Sequence, residues 1–186
     1  MILQLDINGR PQNWIPPEAA ATYYATDSVS WTVGEVCASM RGGMNAVTGR
    51  QSQIDIHPII ALNGAAKVNL FDAVPALTNA ALFKRDRWTC AYCASVHKNG
   101  VGLTREHIHP RARGGADTFL NTVAACRGCN GKKACRRPEE AGMTLLFAPY
   151  NPTIFESFLL KGRNIGGDVH SWLASRVGKN SRWYEG

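Results

Sequence analysis

Two Cys-x-x-Cys pairs, Cys90–Cys93 and Cys126–Cys129, constrain the fold of this 186-residue chain more than any other feature. A two-residue gap lets neighbouring thiolates point at one ion from a tight turn, and two such pairs close a tetrahedral zinc site. With all four positions taken by protein sulfur, the ion has no place for substrate, so the zinc is expected to be structural. A redox motif would be a single pair in a β-α-β setting. Cys37 and Cys135 lie outside the pairs and read as buried or bystander thiols. Thirty-two residues separate the knuckles, and closing the clamp gathers whatever lies between them.

What lies between is polar and chemically capable. Glu106-His107 and Asn121 sit inside the clamp, and Asn130 follows its last cysteine. A carboxylate and an amide oxygen suit a hard divalent ion, and an imidazole with a pKa of about 6.5 can take a proton from water near neutrality. Asn130 is the hinge of the arrangement, because folding the zinc clamp delivers it. Leu103 to Ile108 has strand character ended by Pro110, Arg111 to Gly115 forms a basic flexible loop, and Val123 to Ala125 suits a returning strand. A helix is expected near Cys129-Asn130. Adjacent residues of a regular strand face opposite ways, so the strand must end or twist if Glu106 and His107 are to serve one substrate. His109 reads as a surface or packing histidine and His97 as a solvated one. Asp86 is read as satisfying backbone donors that lead into the first knuckle, and Tyr92 as packing over the zinc.

The formal charge of +7 is unevenly placed. From Lys84 to Arg137 there are twelve lysines and arginines against three acids, a local balance of +9, while the remainder holds nine against eleven, a balance of −2. A tetrathiolate zinc site attracts a few cations for its own neutralisation, but not nine. A polyanion held through phosphate contacts is the expected partner. No apolar run approaches the roughly 20 residues of a membrane span, and the start has no signal-peptide pattern. Paired cysteines that bind metal fit a reducing cytoplasm, the host's if the chain is phage-encoded.

Elsewhere, Ile2 to Ile7 reads as a strand, Pro16-Pro17-Glu18 as a helix start running to about Ala25, and Val29 to Val36 as a second strand. Gly42-Gly43 to Gly49 reads as a loop and Ile54 to Leu62 as one further strand. A helix is expected from Thr78, a short turn at Pro138 to Ala141, and helices over Pro152 to Lys161 and Asp168 to Val177.

Taken together, Arg85-Asp86, Cys90-x-x-Cys93, Glu106-His107-Ile108-x-Pro110, Gly114-Gly115, Asn121, Cys126-x-x-Cys129-Asn130 and Lys133 resemble the HNH endonucleases, over about residues 80 to 145. Segments Ile2 to Trp14 and Glu139 to Met143 more weakly resemble those flanking the unit in a bacterial and phage subgroup. The resemblance implies a ββα-metal unit in which Glu106 and Asn130 bind a catalytic Mg²⁺ or Mn²⁺. It further implies that His107 is the general base and that Asn121 ties the loop so that the imidazole is held. Zinc would be held by Cys90, Cys93, Cys126 and Cys129. The expected fold class is α+β, with a β-rich region over 1–77, the HNH unit over 78–145 and a helical extension over 146–186. The expected partner is DNA, double-stranded by preference, contacted by Arg111, Arg113, Lys132, Lys133 and Arg136. A homodimer, or a phage or bacterial protein partner, stays open. The implied activity is hydrolysis of DNA phosphodiesters, one nick per site. The competing reading is a non-catalytic zinc-dependent DNA-binding module of a phage packaging or repair assembly.

Overall fold

A computed structural model describes residues 1–64, 74–162 and 164–184. The protein is α+β and divides into two compact units, one of Met1–Asp72 with Gly162–Ala174, the other of Ala73–Lys161 with Ser175–Gly186. No helix among the described residues is long and apolar enough to cross a membrane.

In the first unit, β1 (Ile2–Leu5) lies between β2 (Pro11–Ile15), which it pairs antiparallel, and β6 (Ile59–Leu62), which it pairs parallel; β3 (Val29–Val33) closes the sheet on the far side of β6. The central strands are short and apolar, and Leu3, Leu5, Ile59, Ile60 and Ala61 are completely buried, as strands covered on both faces require. Helix α1 (Pro17–Ala25) starts where the prolines place it, since a fixed φ and a missing N–H cost nothing in a first turn. Ala20 on this helix packs with Ile2, Ile15, Ile56 and Ile60.

Two expectations for this unit fail. The run Ile54 to Leu62 is not one strand: β5 (Gln51–Ile56) ends before Pro58, and β6 starts after it in a different sheet. The glycine-rich segment is not simply a loop, because β4 (Ala38–Met44) and β5 form a hairpin around it. Asn45 Oδ1 accepts from the amides of Val47 and Thr48 and so builds the turn. A side chain at Gly42 would meet Ser52 Oγ at 2.3 Å, where the register shifts between Arg41 and Met44. That glycine serves close strand approach, which composition alone cannot distinguish from looseness.

In the second unit the helix expected from Thr78 forms as α2 (Asn79–Arg85), and Thr78 Oγ1 caps it by accepting from Ala81 N at 3.1 Å. The helix ends in a buried ion pair. Arg85 and Asp86 are both wholly buried, with Nε 2.7 Å from Oδ1. The remaining guanidinium donors go to Asp86 and to the carbonyls of Phe119, Thr122 and Tyr150. Asp86 Oδ2 accepts from Ala124 N at 2.6 Å. Asp86 therefore does satisfy a backbone donor, but that donor lies on the far strand of the hairpin and not at the first knuckle. Burial raises the Asp86 carboxyl, and the Arg85 and Ala124 hydrogen bonds oppose that. One charged pair thus joins α2 to the strand, loop and tail segments around the hairpin. Strands β7 (Leu103–His107) and β8 (Thr122–Cys126) pair antiparallel, with Glu106 opposite Val123 and His107 opposite Thr122. Helix α3 (Arg127–Lys133) follows immediately, completing a strand-loop-strand-helix unit. Helix α4 (Ile154–Lys161) packs on α2, and Lys84 Nζ donates to Leu160 O. Helix α5 (Gly167–Ala174) belongs to the first unit.

Candidate active site and metal centre

The four knuckle cysteines converge. Their sulfurs all lie within 4.8 Å of one another, and Cys93 Sγ is 3.9 Å from Cys126 Sγ. Zinc–sulfur bonds of about 2.3 Å give a tetrahedron with edges of about 3.8 Å, so the cluster fits a zinc ion. The first knuckle is fixed to the hairpin by Ala91 N donating to Ala124 O. In the second, Cys126 Sγ accepts from Cys129 N and caps α3. Without a cation the sulfurs oppose one another: hydrogen bonding to Ser95 pushes Cys93 down to about 6, while burial and the neighbouring sulfurs push Cys129 up. A divalent ion removes that conflict by holding all four as thiolates. His97 is not merely solvated, for its ring bridges Ser95 Oγ and Val101 O, both at 3.0 Å, and Ser95 Oγ lies 3.1 Å from Cys93 Sγ. It braces the loop behind the ligand.

Strand alternation sorts the inserted residues onto two faces of β7. Thr104 and Glu106 turn toward α3, where Asn130 and Lys133 stand one helical turn apart. Asn130 Nδ2 donates to Thr104 Oγ1 at 2.8 Å, and its side-chain carbonyl oxygen takes no hydrogen bond among the described residues. Lys133 Nζ is 2.5 Å from Glu106 Oε1 and 2.8 Å from His107 O, and Lys133 is completely buried. Placing Lys133 among phosphate contacts is therefore corrected: the side chain neutralises Glu106 inside the protein. A buried carboxylate needs such a partner, and Lys133 at the end of α3 supplies it to Glu106 on β7.

On the other face, Arg105 and His107 both reach Asp117. His107 Nε2 lies 2.9 Å from Asp117 Oδ1, and Arg105 Nη1 lies 3.0 and 2.8 Å from the two Asp117 oxygens. Arg105 is itself held by Asn79 Oδ1 and Leu77 O. Hydrogen bonds from Arg105 and then His107 keep the Asp117 carboxyl below the usual carboxylate range. Sequence reading missed Asp117, although a signal was available: it is the lone acid between Glu106 and Glu139.

Asn121 holds the loop by its backbone. Its Oδ1 accepts from His109 N at 2.9 Å, and its Nδ2 donates to His109 O and Ala116 O. The glycine pair explains itself here. Gly114 has a φ of +87°, and a Cβ on Gly115 would lie 1.8 Å from His109 O. The imidazole of His109 makes no hydrogen bond among the described residues.

The basic residues expected on phosphate divide. Arg111 and Lys132 are exposed and pair with no acid among the described residues. Arg113 is exposed but forked onto Glu140, at 2.9 and 2.8 Å. Arg136 turns back on the carbonyls of Lys132 and Lys133 at the end of α3.

The Glu106–Asn130 face suits a second metal in its donor chemistry, with one carboxylate and one amide oxygen. Glu106 Oε2 takes no hydrogen bond among the described residues, whereas Lys133 holds Oε1. The Tyr92 hydroxyl is buried with no hydrogen-bond partner among them, and burial followed by the Glu106 charge raises its pKa. A buried polar atom without a partner is what a site with a further ligand or water leaves behind.

No curated protein and no solved structure matches this chain. Residues 90–146, about a third of its length, match the family model of the HNH endonucleases, and within that stretch the four cysteines stand at zinc-binding distance.

Proposed function

We propose that this protein is a metal-dependent endonuclease that hydrolyses DNA phosphodiesters, nicking one strand at each active site. The observation that supports it most is the retention of Glu106, His107 and Asn130 together on the strand and helix of the matched segment. Zinc binding alone requires none of the three. We take residues 78–145 as the nuclease unit, with 1–77 and 146–186 as its additions.

In this reading Cys90, Cys93, Cys126 and Cys129 hold zinc and set geometry. Glu106 and Asn130 hold Mg²⁺ or Mn²⁺, which when bound stabilises negative charge on the phosphate and leaving oxygens. Strand β7 ends at His107, so a phosphate laid across its end meets groups from both faces. His107 takes the proton of the attacking water. Asn121 keeps the loop closed so that the imidazole is presented. Arg111 and Lys132 bind neighbouring phosphates, and the +9 segment draws DNA from solution. The products carry a 3′-hydroxyl and a 5′-phosphate. A double-strand break needs two units, from a homodimer or two successive events. The work is done in the cytoplasm, the host's if the gene is a phage's.

One observation favours a second reading, a zinc-dependent DNA-binding module without catalysis: Lys133 already neutralises Glu106. Relaxation of supercoiled plasmid with Mg²⁺ or Mn²⁺ separates the two. The nuclease reading expects nicked circles from the wild type and none from His107→Ala. Plasmid left supercoiled in every metal, or equal nicking by the variant, supports the binding module.

A further inference from the structure

We propose that Asp117 is the positioning residue of His107, holding the imidazole through an Nε2–H donor so that Nδ1 is the nitrogen that takes the proton. This rests on the endonuclease reading above. Hydrogen-bond chemistry assigns the nitrogens. An ionised carboxylate only accepts, so the nitrogen 2.9 Å from Asp117 Oδ1 carries the hydrogen. In the neutral ring the other nitrogen, Nδ1, then holds the lone pair. Asp117 is ionised and fixed because Arg105 grips both its oxygens, and Arg105 is anchored in turn to Asn79 and Leu77 at the start of α2. The chain of contacts runs from a capped helix to the base. The Asn121 side chain, by contrast, hydrogen-bonds to the His109 and Ala116 backbone, so it shapes the loop and leaves the ring to Asp117.

The reaction balances on this assignment. The water proton passes to Nδ1 while the water oxygen forms the new bond to phosphorus. The bond from phosphorus to the 3′ oxygen breaks with its electron pair, and that oxygen takes a proton from solvent. The resulting imidazolium keeps Nε2–H on Asp117, whose negative charge lies beside the positive ring only once the proton has moved. An orienting acid of this kind acts in the transition state and leaves substrate binding largely alone.

The test uses the full zinc-loaded chain with ¹⁵N-labelled histidine, at a pH above the ordinary histidine value of about 6.5. Long-range ¹H–¹⁵N spectra assign His107 by the signals lost in His107→Ala. A hydrogen-bonded, slowly exchanging ring proton on Nε2 is expected in the wild type. It should vanish in Asp117→Ala and return in Asp117→Asn, whose amide oxygen still accepts. Nicking should fall in kcat by on the order of 10–100-fold in Asp117→Ala with KM little changed, and Asp117→Asn should recover most of it. A ring proton on Nδ1, a protected Nε2–H that survives Asp117→Ala, or full nicking by Asp117→Ala overturns the proposal. The spectra need no turnover, so a protein that never nicks yet shows Nε2–H on Asp117 fails the endonuclease reading and keeps the pairing. If Asp117→Ala loses its zinc, the wild-type and Asp117→Asn spectra decide alone.

Discussion

On one face of β7 the Glu106 carboxylate meets a Lys133 ammonium that is completely buried; on the other, His107 and Arg105 meet an Asp117 side chain that is 45% exposed. The first pair lies where dielectric is low, so removing one partner leaves a charge that nothing nearby can solvate. The second lies where water screens it, so its worth is in direction and not in stability. The same contrast recurs outside the strand. The Arg85–Asp86 pair is wholly buried and bonded to three segments, whereas the Arg113–Glu140 pair stands in solvent. Buried pairs in this unit hold elements together, and exposed ones aim or park side chains.

Removing zinc should affect both faces at once. Chelation, or Cys126→Ser, is expected to melt the β7–β8–α3 segment, because structural zinc binding is worth about 10–16 kcal/mol in zinc-finger peptides. Loss of amide exchange protection at Val123 to Ala125 would register it. A hairpin that keeps its protection without metal would show that the Arg85–Asp86 anchor suffices alone.

Next in size is Lys133→Met, which keeps the stem and deletes the charge. It should cost about 3–5 kcal/mol in urea unfolding. Adding Glu106→Gln should restore most of that, since a neutral amide tolerates the site without an ammonium. If the single variant unfolds like the wild type, the buried face is not built as described. Arg105→Ala should change the melting temperature little and lower kcat as Asp117→Ala does, which places the exposed face on the functional side of the comparison.

The smallest effect belongs to Glu140. The Arg137 amide and then Arg113 hold its carboxyl below the usual range. A depressed carboxyl stabilises above its unfolded pKa, about 4.3, and that contribution fades as pH falls toward the folded value. Glu140→Gln should therefore lower stability slightly at neutral pH and leave it unchanged below the folded pKa, so that the acid limb of the profile flattens, as pH-resolved thermal melts would show.

Much of this was legible from residues alone. The cysteine spacing predicted the clamp, the prolines predicted α1, and a helix was expected from Thr78, because each acts through covalent geometry or a neighbour within four positions. The β4–β5 hairpin was not legible, since Gly42 is required by Ser52 across the ladder. Nor was the change of sheet around Pro58, which depends on which strand each half finds. At the site, the motif named Glu106, His107, Asn121 and Asn130, but it did not say what touches them.

The sequence by itself determined which chemical groups this protein carries: four thiols spaced for one ion, a carboxylate, an imidazole and an amide threaded between them, and a second amide just after the last cysteine. Local spacing is enough for that, because ligand pairs and strand alternation are short-range properties. Only the tertiary structure decided that Lys133 belongs to Glu106 and Asp117 to His107. Those pairings join residues ten to twenty-seven positions apart, and it is burial on one face of β7 and water on the other that separates them.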